Sequence, residues 1–375
     1  MNQSFAKPEG LSSSQTILLA LLIGVSLGSA GLLALALMVW LSHQRFGVDR
    51  SAKHGISVRD TSRLGGLAIL LFLMIIWALS YLNQSTELNL ELVVPLGGYP
   101  ALFWPVLLIG LVGLAEDIGL DMKPWFRLSV TLAISLVIFF LNPELLPNRL
   151  LEVINIDSSF VVLLLTVTSS VLMAGFVNAA NISDGANGLL AGLCLVFFWI
   201  AWEFQGDGWL FYLLVILLCF WLINVLTGRI LLGDLGAYAL GALVVLVAFN
   251  LFDTQRVSLF FLASLLCYPC VEMSRVVVVR WVRGQSPFSA DNAHLHNLLN
   301  VKLRGSFRGN TLANSLTGIF IVLITSLPGI FTFHFDLQGN TEVNFVAFGL
   351  QALIFCFLQP GSKGLDSNLP LSHLK

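Results

Sequence analysis

Carboxylates, amides, histidines and basic side chains gather beside glycines in five short clusters, and each combination suits phosphate or divalent-cation chemistry. Glu116-Asp117 sets two acids side by side at the end of an apolar run. Adjacent carboxylates there repel and lose hydration, so the pair fits cation binding or proton abstraction. Asn178-Ala-Ala-Asn181-Ile-Ser-Asp184-Gly185-Ala-Asn187-Gly188 holds three amides and one carboxylate within ten residues. Steps of three place Asn178, Asn181 and Asp184 on one helical face, and the two residue-glycine pairs then signal a turn. Gly233-Asp234-Leu-Gly236 brackets an acid with glycines, which suits a metal or a phosphate and equally a plain N-cap. Lys53-His54 precedes Arg63-Leu-Gly65-Gly66, where paired glycines at a helix start let backbone N–H groups approach an anion. The last cluster runs from Arg280 and Arg283 through Asp291 to His294-Leu-His296-Asn297. Its His-x-His is weak as a metal site, and with two arginines it fits pyrophosphate better.

The segments that must position these groups are apolar. The chain has 375 residues, 57% hydrophobic and 11% charged, too few charges to cover a water-facing surface. A net charge of -2 gives no basic face for nucleic acid. Because about 20 apolar residues cross a bilayer, the sequence predicts eleven transmembrane helices. They lie near 16–42, 64–82, 101–115, 128–141, 160–177, 188–203, 210–226, 235–251, 257–279, 311–332 and 344–358. The first is too long for a signal-peptide core and lacks a basic flank before it, so it is read as retained. The expected fold is an all-α polytopic membrane protein, one integral domain over 1–375. Fifteen Lys and Arg fall in the odd-numbered loops and C-terminal tail, against three in the even loops and N-terminus. That bias puts the N-terminus outside and the C-terminus and all five clusters in the cytoplasm. The five cysteines sit in apolar runs, and Cys267-Tyr-Pro-Cys270, despite its redox spacing, is read as part of a membrane helix.

In their order the clusters resemble the polyprenyl-phosphate N-acetylhexosamine-1-phosphate transferases (glycosyltransferase family 4), which start O-antigen and enterobacterial common antigen synthesis and include the peptidoglycan phospho-MurNAc-pentapeptide translocase. The motifs span 53–297. Lys-His then Arg-x-Gly-Gly matches Lys53, His54, Arg63, Gly65 and Gly66, and the acidic pair matches Glu116-Asp117 with Arg127 following. Asn-x-x-Asn-x-x-Asp-Gly matches Asn178, Asn181, Asp184 and Gly185, and Gly-Asp-x-Gly matches Gly233, Asp234 and Gly236. Ser-Pro-Phe-Ser-x-Asp then His-x-His matches residues 286–289, Asp291, His294 and His296. Glu116, Asn187 and Asn297 depart from the usual Asp, Asp and His. These departures resemble the surface-polysaccharide branch and argue against the peptidoglycan substrate.

The resemblance implies transfer of a sugar 1-phosphate from a UDP-sugar to undecaprenyl or another polyprenyl phosphate in the bacterial inner membrane, with UMP released. It implies Mg²⁺, with Mn²⁺ as a substitute, held by Asp234 and Asp184. Asp117 is expected to act on the lipid phosphate with Glu116 in support. Asn178, Asn181, Asp184 and Asn187 are expected to face the nucleotide or metal. Lys53, His54, Arg63, Gly65, Gly66, Arg283, Asp291, His294 and His296 are expected to hold phosphates and sugar. A homodimer is compatible with all of this. Two other readings stay open, a multi-pass transporter and a lipid-binding relative without catalysis. A transporter would place its polar groups near the bilayer midplane, whereas apart from Glu203, Glu272 and Arg275 the expected spans carry almost no charge.

Overall fold

Backbone N–H and C=O groups find no water in a bilayer core, so apolar runs fold there as helices. The computed structural model describes residues 28–43, 48–49, 61–86, 99–154, 159–255, 257–286, 293–307 and 310–359. In chain order the helices are α1 (Gly28–Ser42), α2 (Gly65–Thr86), α3 (Tyr99–Asp117), α4 (Pro124–Leu141) and the short α5 (Arg149–Ile154). Next come α6 (Ser159–Ser183), α7 (Leu189–Gln205), α8 (Gly208–Thr227) and α9 (Gly233–Thr254). The last five are α10 (Leu259–Leu265), α11 (Cys267–Val282), α12 (Leu295–Arg304), α13 (Asn310–His334) and α14 (Thr341–Leu358). The expected spans from the second onward fall on these helices, the ninth on the pair α10–α11, while residues 16–27 of the first lie outside the described residues. Among the described residues six helices are long and apolar enough to cross a membrane, or seven if that bent pair is one span. The chain is a mostly helical multi-pass membrane protein.

The bend between α10 and α11 is 88°. Its cause lies in Pro269, which has no N–H to bond the Leu265 carbonyl and whose ring crowds it, so one continuous helix is blocked. One departure from an all-α fold is a pair of two-residue strands, β1 (Val48–Asp49) and β2 (Thr61–Ser62), antiparallel in the register Val48↔Ser62. β2 also runs beside the segment that leads into α9. Ser62 N–H donates to Arg229 O at 3.1 Å, and Leu231 N–H donates to Ser62 O at 2.7 Å.

The central helix is α9, buried along nearly its whole length. Small residues allow this, because without a hydrophobic force between helices in lipid, close backbone contact drives their association. A Cβ placed on Gly66 of α2 would lie 2.2 Å from Gly236 Cα, and one on Gly113 of α3 would lie 2.2 Å from Asp234 O. Thus α2 and α3 lie backbone to backbone against the first turn of α9. Outward positions such as Phe140, Phe160, Leu163 and Phe357 are large, apolar and exposed, as lipid-facing positions should be.

Candidate active site

Contacts among them bring the starts of α2, α4, α7 and α9 and the ends of α3, α6 and α8 to one end of the bundle. The site is built there on the N-terminus of α9. Gly233 has φ +76°, and a Cβ on it would meet Arg63 O at 2.2 Å, so only glycine fits both the turn and the space. The turn aims two orphan helix donors at one carboxylate. Asp234 N–H donates to Asp117 Oδ1 at 3.1 Å, and Leu235 N–H donates to Asp117 Oδ2 at 2.9 Å. Asp117 therefore caps α9 from the end of α3, with its side chain 2% exposed.

Basic side chains surround the acids. Arg127, in the first turn of α4, reaches Glu116 Oε1 at 3.3 Å and Asp234 Oδ2 at 3.6 Å, bridging the two. Arg63 Nη1 stands 4.0 Å from Asp117 Oδ1. Glu116 Oε2 accepts from Met122 N–H at 3.4 Å, which fastens the turn between α3 and α4. From the third side, the end of α6 presents Asp184, close enough to Asp234, Asp117 and Arg63 to feel the charge of each.

This concentration of acids is only partly neutralised. Burial, and then the charges of Asp234 and Asp117, hold the Asp184 carboxyl well above the usual range, against the pull of Arg63. Asp117 is pushed up to about 6, first by burial and also by Asp234, while its two backbone hydrogen bonds and Arg63 oppose the rise. Glu116 is raised by burial, with Arg127 opposing. Among the described residues no three His, Cys, Asp or Glu side chains converge on one point as a closed metal cage would need. The donor set is oxygen, with Asp184 buried and Asp234 still partly exposed. It fits a hard cation such as Mg²⁺, which keeps waters and takes one or two carboxylates plus substrate phosphates.

The His-x-His motif adjoins this centre. His296 is buried, with Nδ1 2.7 Å from Tyr268 Oη. Its ring lies against Gly185, where an added Cβ would come 1.9 Å from Nε2. Burial, helped by His294, pushes His296 down to about 3, so its ring is neutral. The His294 ring stacks on that of His296 at 5.4 Å and 7°. His294 Nδ1 is 2.9 Å from Glu272 Oε1, and Arg275 Nη2 donates to the same oxygen.

Arg63, Glu116, Asp117, Asp184 and Asp234 thus come together, with His294 and His296 beside the Asp184-Gly185 turn. Several expectations need correction. Gly65 and Gly66 are not anion donors, because their N–H groups donate to Leu231 O (3.0 Å) and Leu232 O (2.7 Å). Their smallness serves the contact with α9. Asp117 takes one backbone donor on each oxygen, which fixes its carboxylate at the start of α9. Asn178 turns back on its own helix, its Nδ2 donating to Ala174 O at 2.8 Å. Arg283 stands exposed as the C-cap of α11. Lys53, His54 and Asp291 lie outside the described residues.

Asn187 is the clearest reversal. It is buried against α13, its Nδ2 donating to Ser315 Oγ at 3.3 Å and its N–H to Asn314 Oδ1 at 3.4 Å. A Cβ on Gly318 would meet Asn187 O at 2.1 Å, so the two backbones touch. Asn187→Asp is therefore expected to lose a donor and bury a charge, lowering stability by about 1–3 kcal/mol without changing preference among nucleotide sugars. Thermal unfolding and competition between donors check both halves. Residues the sequence reading left out of the site are Arg127, Tyr268, Glu272 and Arg275. Glu272 and Arg275 did carry a signal, as charges inside an expected span.

Residues 99–252 match the family model for glycosyl transferase family 4. The chain is 30% identical over 136 residues to the undecaprenyl-phosphate alpha-N-acetylglucosaminyl 1-phosphate transferase of Escherichia coli (strain K12), an alignment over 33% of this chain and 37% of that protein. The chain thus spans little more than a third of that relative's length. It is 28% identical over 258 residues to the phospho-N-acetylmuramoyl-pentapeptide-transferase of Anoxybacillus flavithermus, covering 60% of this chain and 74% of the relative. It is also 28% identical over 311 residues to the decaprenyl-phosphate N-acetylglucosaminephosphotransferase of Mycobacterium leprae, covering 74% and 76%. The family suggested by the ordered motifs and the family found by comparison are the same.

Proposed function

We propose, from the match of residues 99–252 to the glycosyl transferase family 4 model, that this chain moves an N-acetylhexosamine-type sugar 1-phosphate from a UDP-sugar to a polyprenyl phosphate. An oxygen of the lipid phosphate attacks the β-phosphorus of the UDP-sugar. The bond from that phosphorus to the bridging oxygen breaks, and UMP leaves with the electron pair. The product is a lipid pyrophosphoryl sugar that starts surface-polysaccharide synthesis. One observation carries the reading: Asp117, Asp184 and Asp234 meet Arg63 and Arg127 at one end of a membrane bundle. A bilayer phosphate and a cytosolic nucleotide can only meet at such a boundary. The Lys and Arg bias supports a cytoplasmic site in a bacterial inner membrane. The names of the relatives support the acceptor and sugar classes.

Phosphoryl transfer needs positioning and charge neutralisation more than covalent help from the protein. Asp234 and Asp184 would hold Mg²⁺, or Mn²⁺ in its place, and the ion would neutralise charge on the transferring phosphate. Asp117 orients the first turn of α9 and thereby Asp234. Arg127 holds Glu116 and Asp234 apart from each other's repulsion, and Arg63 offers a cation to a phosphate. A lipid phosphate is largely ionised near neutrality, so no general base is required.

Among the described residues the broken α10–α11 span, which carries Glu272 and Arg275 on α11, is a feature a transporter would share. Purified protein given undecaprenyl phosphate and a panel of UDP-sugars distinguishes the two. UMP release is expected, dependent on Mg²⁺. The Mg²⁺ concentration for half activation is expected to rise as pH falls through about 6, where Asp117 takes its proton and Asp184 is already inclined to. No UMP with any donor, together with nucleotide-sugar uptake into vesicles, would establish the transporter instead.

A further inference from the structure

Glu272 sits inside the bundle with no exposed surface. A buried carboxylate is retained only when strongly partnered, and here one oxygen serves two partners. Arg275, one turn along α11, donates to Oε1 and also to Ala293 O at 3.0 Å. His294 Nδ1 lies 2.9 Å from the same Oε1. A carboxylate held by a guanidinium can only accept, so His294 must donate from Nδ1. In the neutral ring that leaves Nε2 as the acceptor. The ring plane is fixed as well, because His294 stacks on His296, and His296 is held between Tyr268 Oη and the backbone of Gly185. Gly185 follows Asp184 directly. A chain of contacts therefore runs from α11 through two imidazoles to the acidic centre.

We propose that Glu272 is a positioning residue that locks His294 in its Nδ1–H tautomer, so that Nε2 accepts a hydrogen bond from a hydroxyl or amide N–H of the sugar on the nucleotide donor. This rests on the transferase reading for its substrate, but the lock itself is a property of the free protein. An acceptor nitrogen is suited to a sugar and unsuited to a phosphate. His294 therefore reads the sugar, and the phosphates fall to the arginines and the cation.

Histidine ¹⁵N spectra of the full-length protein in nanodiscs test the lock. The chain has six histidines, and the His294→Gln variant identifies the relevant signal. The wild type is expected to show His294 as Nδ1–H, and Glu272→Leu to lose that signature, because its side chain offers no acceptor. In parallel, kcat/KM for the UDP-sugar is expected to fall about 10- to 100-fold in Glu272→Leu, the range for loss of an orienting partner. Inhibition by UDP, which has no sugar, is expected to be unchanged. Should Glu272→Leu misfold by leaving Arg275 buried alone, Glu272→Leu with Arg275→Met removes both charges and is expected to give the same spectral and kinetic result. A His294 signal unchanged in a folded variant overturns the proposal, and so does a wild-type kcat/KM alongside an altered signal. Equal weakening of UDP and UDP-sugar overturns the assignment of His294 to the sugar. A wild type that releases no UMP yet shows the Glu272-dependent tautomer overturns the transferase reading and leaves the lock standing.

Discussion

Purified Asp234→Asn protein is expected to release UMP at least about a thousandfold more slowly than wild type, a barrier increase of ~4 kcal/mol, while remaining folded and inserted. The substitution keeps the size of the side chain and leaves the backbone of α9 untouched. The residue 234 N–H still donates to Asp117, so the helix start keeps its cap. What disappears is one negative charge facing Asp184 and Arg127. Asp184 and Asp117 repel that charge, while Arg127 and the start of α9 attract it. Thermal unfolding of the variant is accordingly expected close to the wild-type temperature. Loss of turnover without loss of stability marks a group retained for chemistry. Near wild-type turnover in Mg²⁺ would remove Asp234 from the cation's shell.

Gly113→Ala is expected to damage fold and activity together. The new Cβ would lie 2.2 Å from Asp234 O, 2.4 Å from its carbonyl carbon and 2.7 Å from Leu235 N. All three are backbone atoms, so no side chain can rotate away and α3 must move off α9. Overpacking of this kind costs about 1–3 kcal/mol or more. Asp117 lies one turn beyond Gly113, so the shift also pulls its carboxylate from the donors of Asp234 and Leu235. Misplacement by about 1 Å costs on the order of a hundredfold in rate. Gly175→Ala on α6 is the control, since an added Cβ there meets nothing within 4 Å. It is expected to gain about 0.5–1 kcal/mol from helix propensity. Equal unfolding temperatures and rates for the two variants would show that the contact between α3 and α9 tolerates a methyl group.

The helices and the gathering of the clusters were legible because both follow from one-dimensional patterns. Apolar runs mark spans, and alternate crossing brings odd loops to one end. Glu116, Asp184 and Asp234 were found this way. What the sequence could not show was which polar group each residue would spend its hydrogen bonds on. Gly65 and Gly66 look like an anion cradle until Leu231 and Leu232 take their N–H groups. Asn187 looks like a nucleotide contact until Ser315 and Asn314 claim it, from 128 and 127 residues away. Asp117 gives no sign in sequence of the helix it caps, whose donors come 117 and 118 residues later. In each case the partner is distant in sequence, and spacing carries no information about it. The bend at Leu266 is in plain view as Pro269, but the sequence reading runs Cys267-Tyr-Pro-Cys270 through a single unbroken membrane helix.

The cap of α9 by Asp117 sets a clock during synthesis. The donor at residue 234 follows its acceptor by 117 positions. At roughly 5–20 residues per second, α3 waits roughly 6–23 s in the membrane before the helix it caps has been made. Through that interval a buried-to-be carboxylate stands at the lipid boundary with neither its helix donors nor the central helix beside it. A nascent chain stalled between the fourth and ninth helices is in this condition permanently.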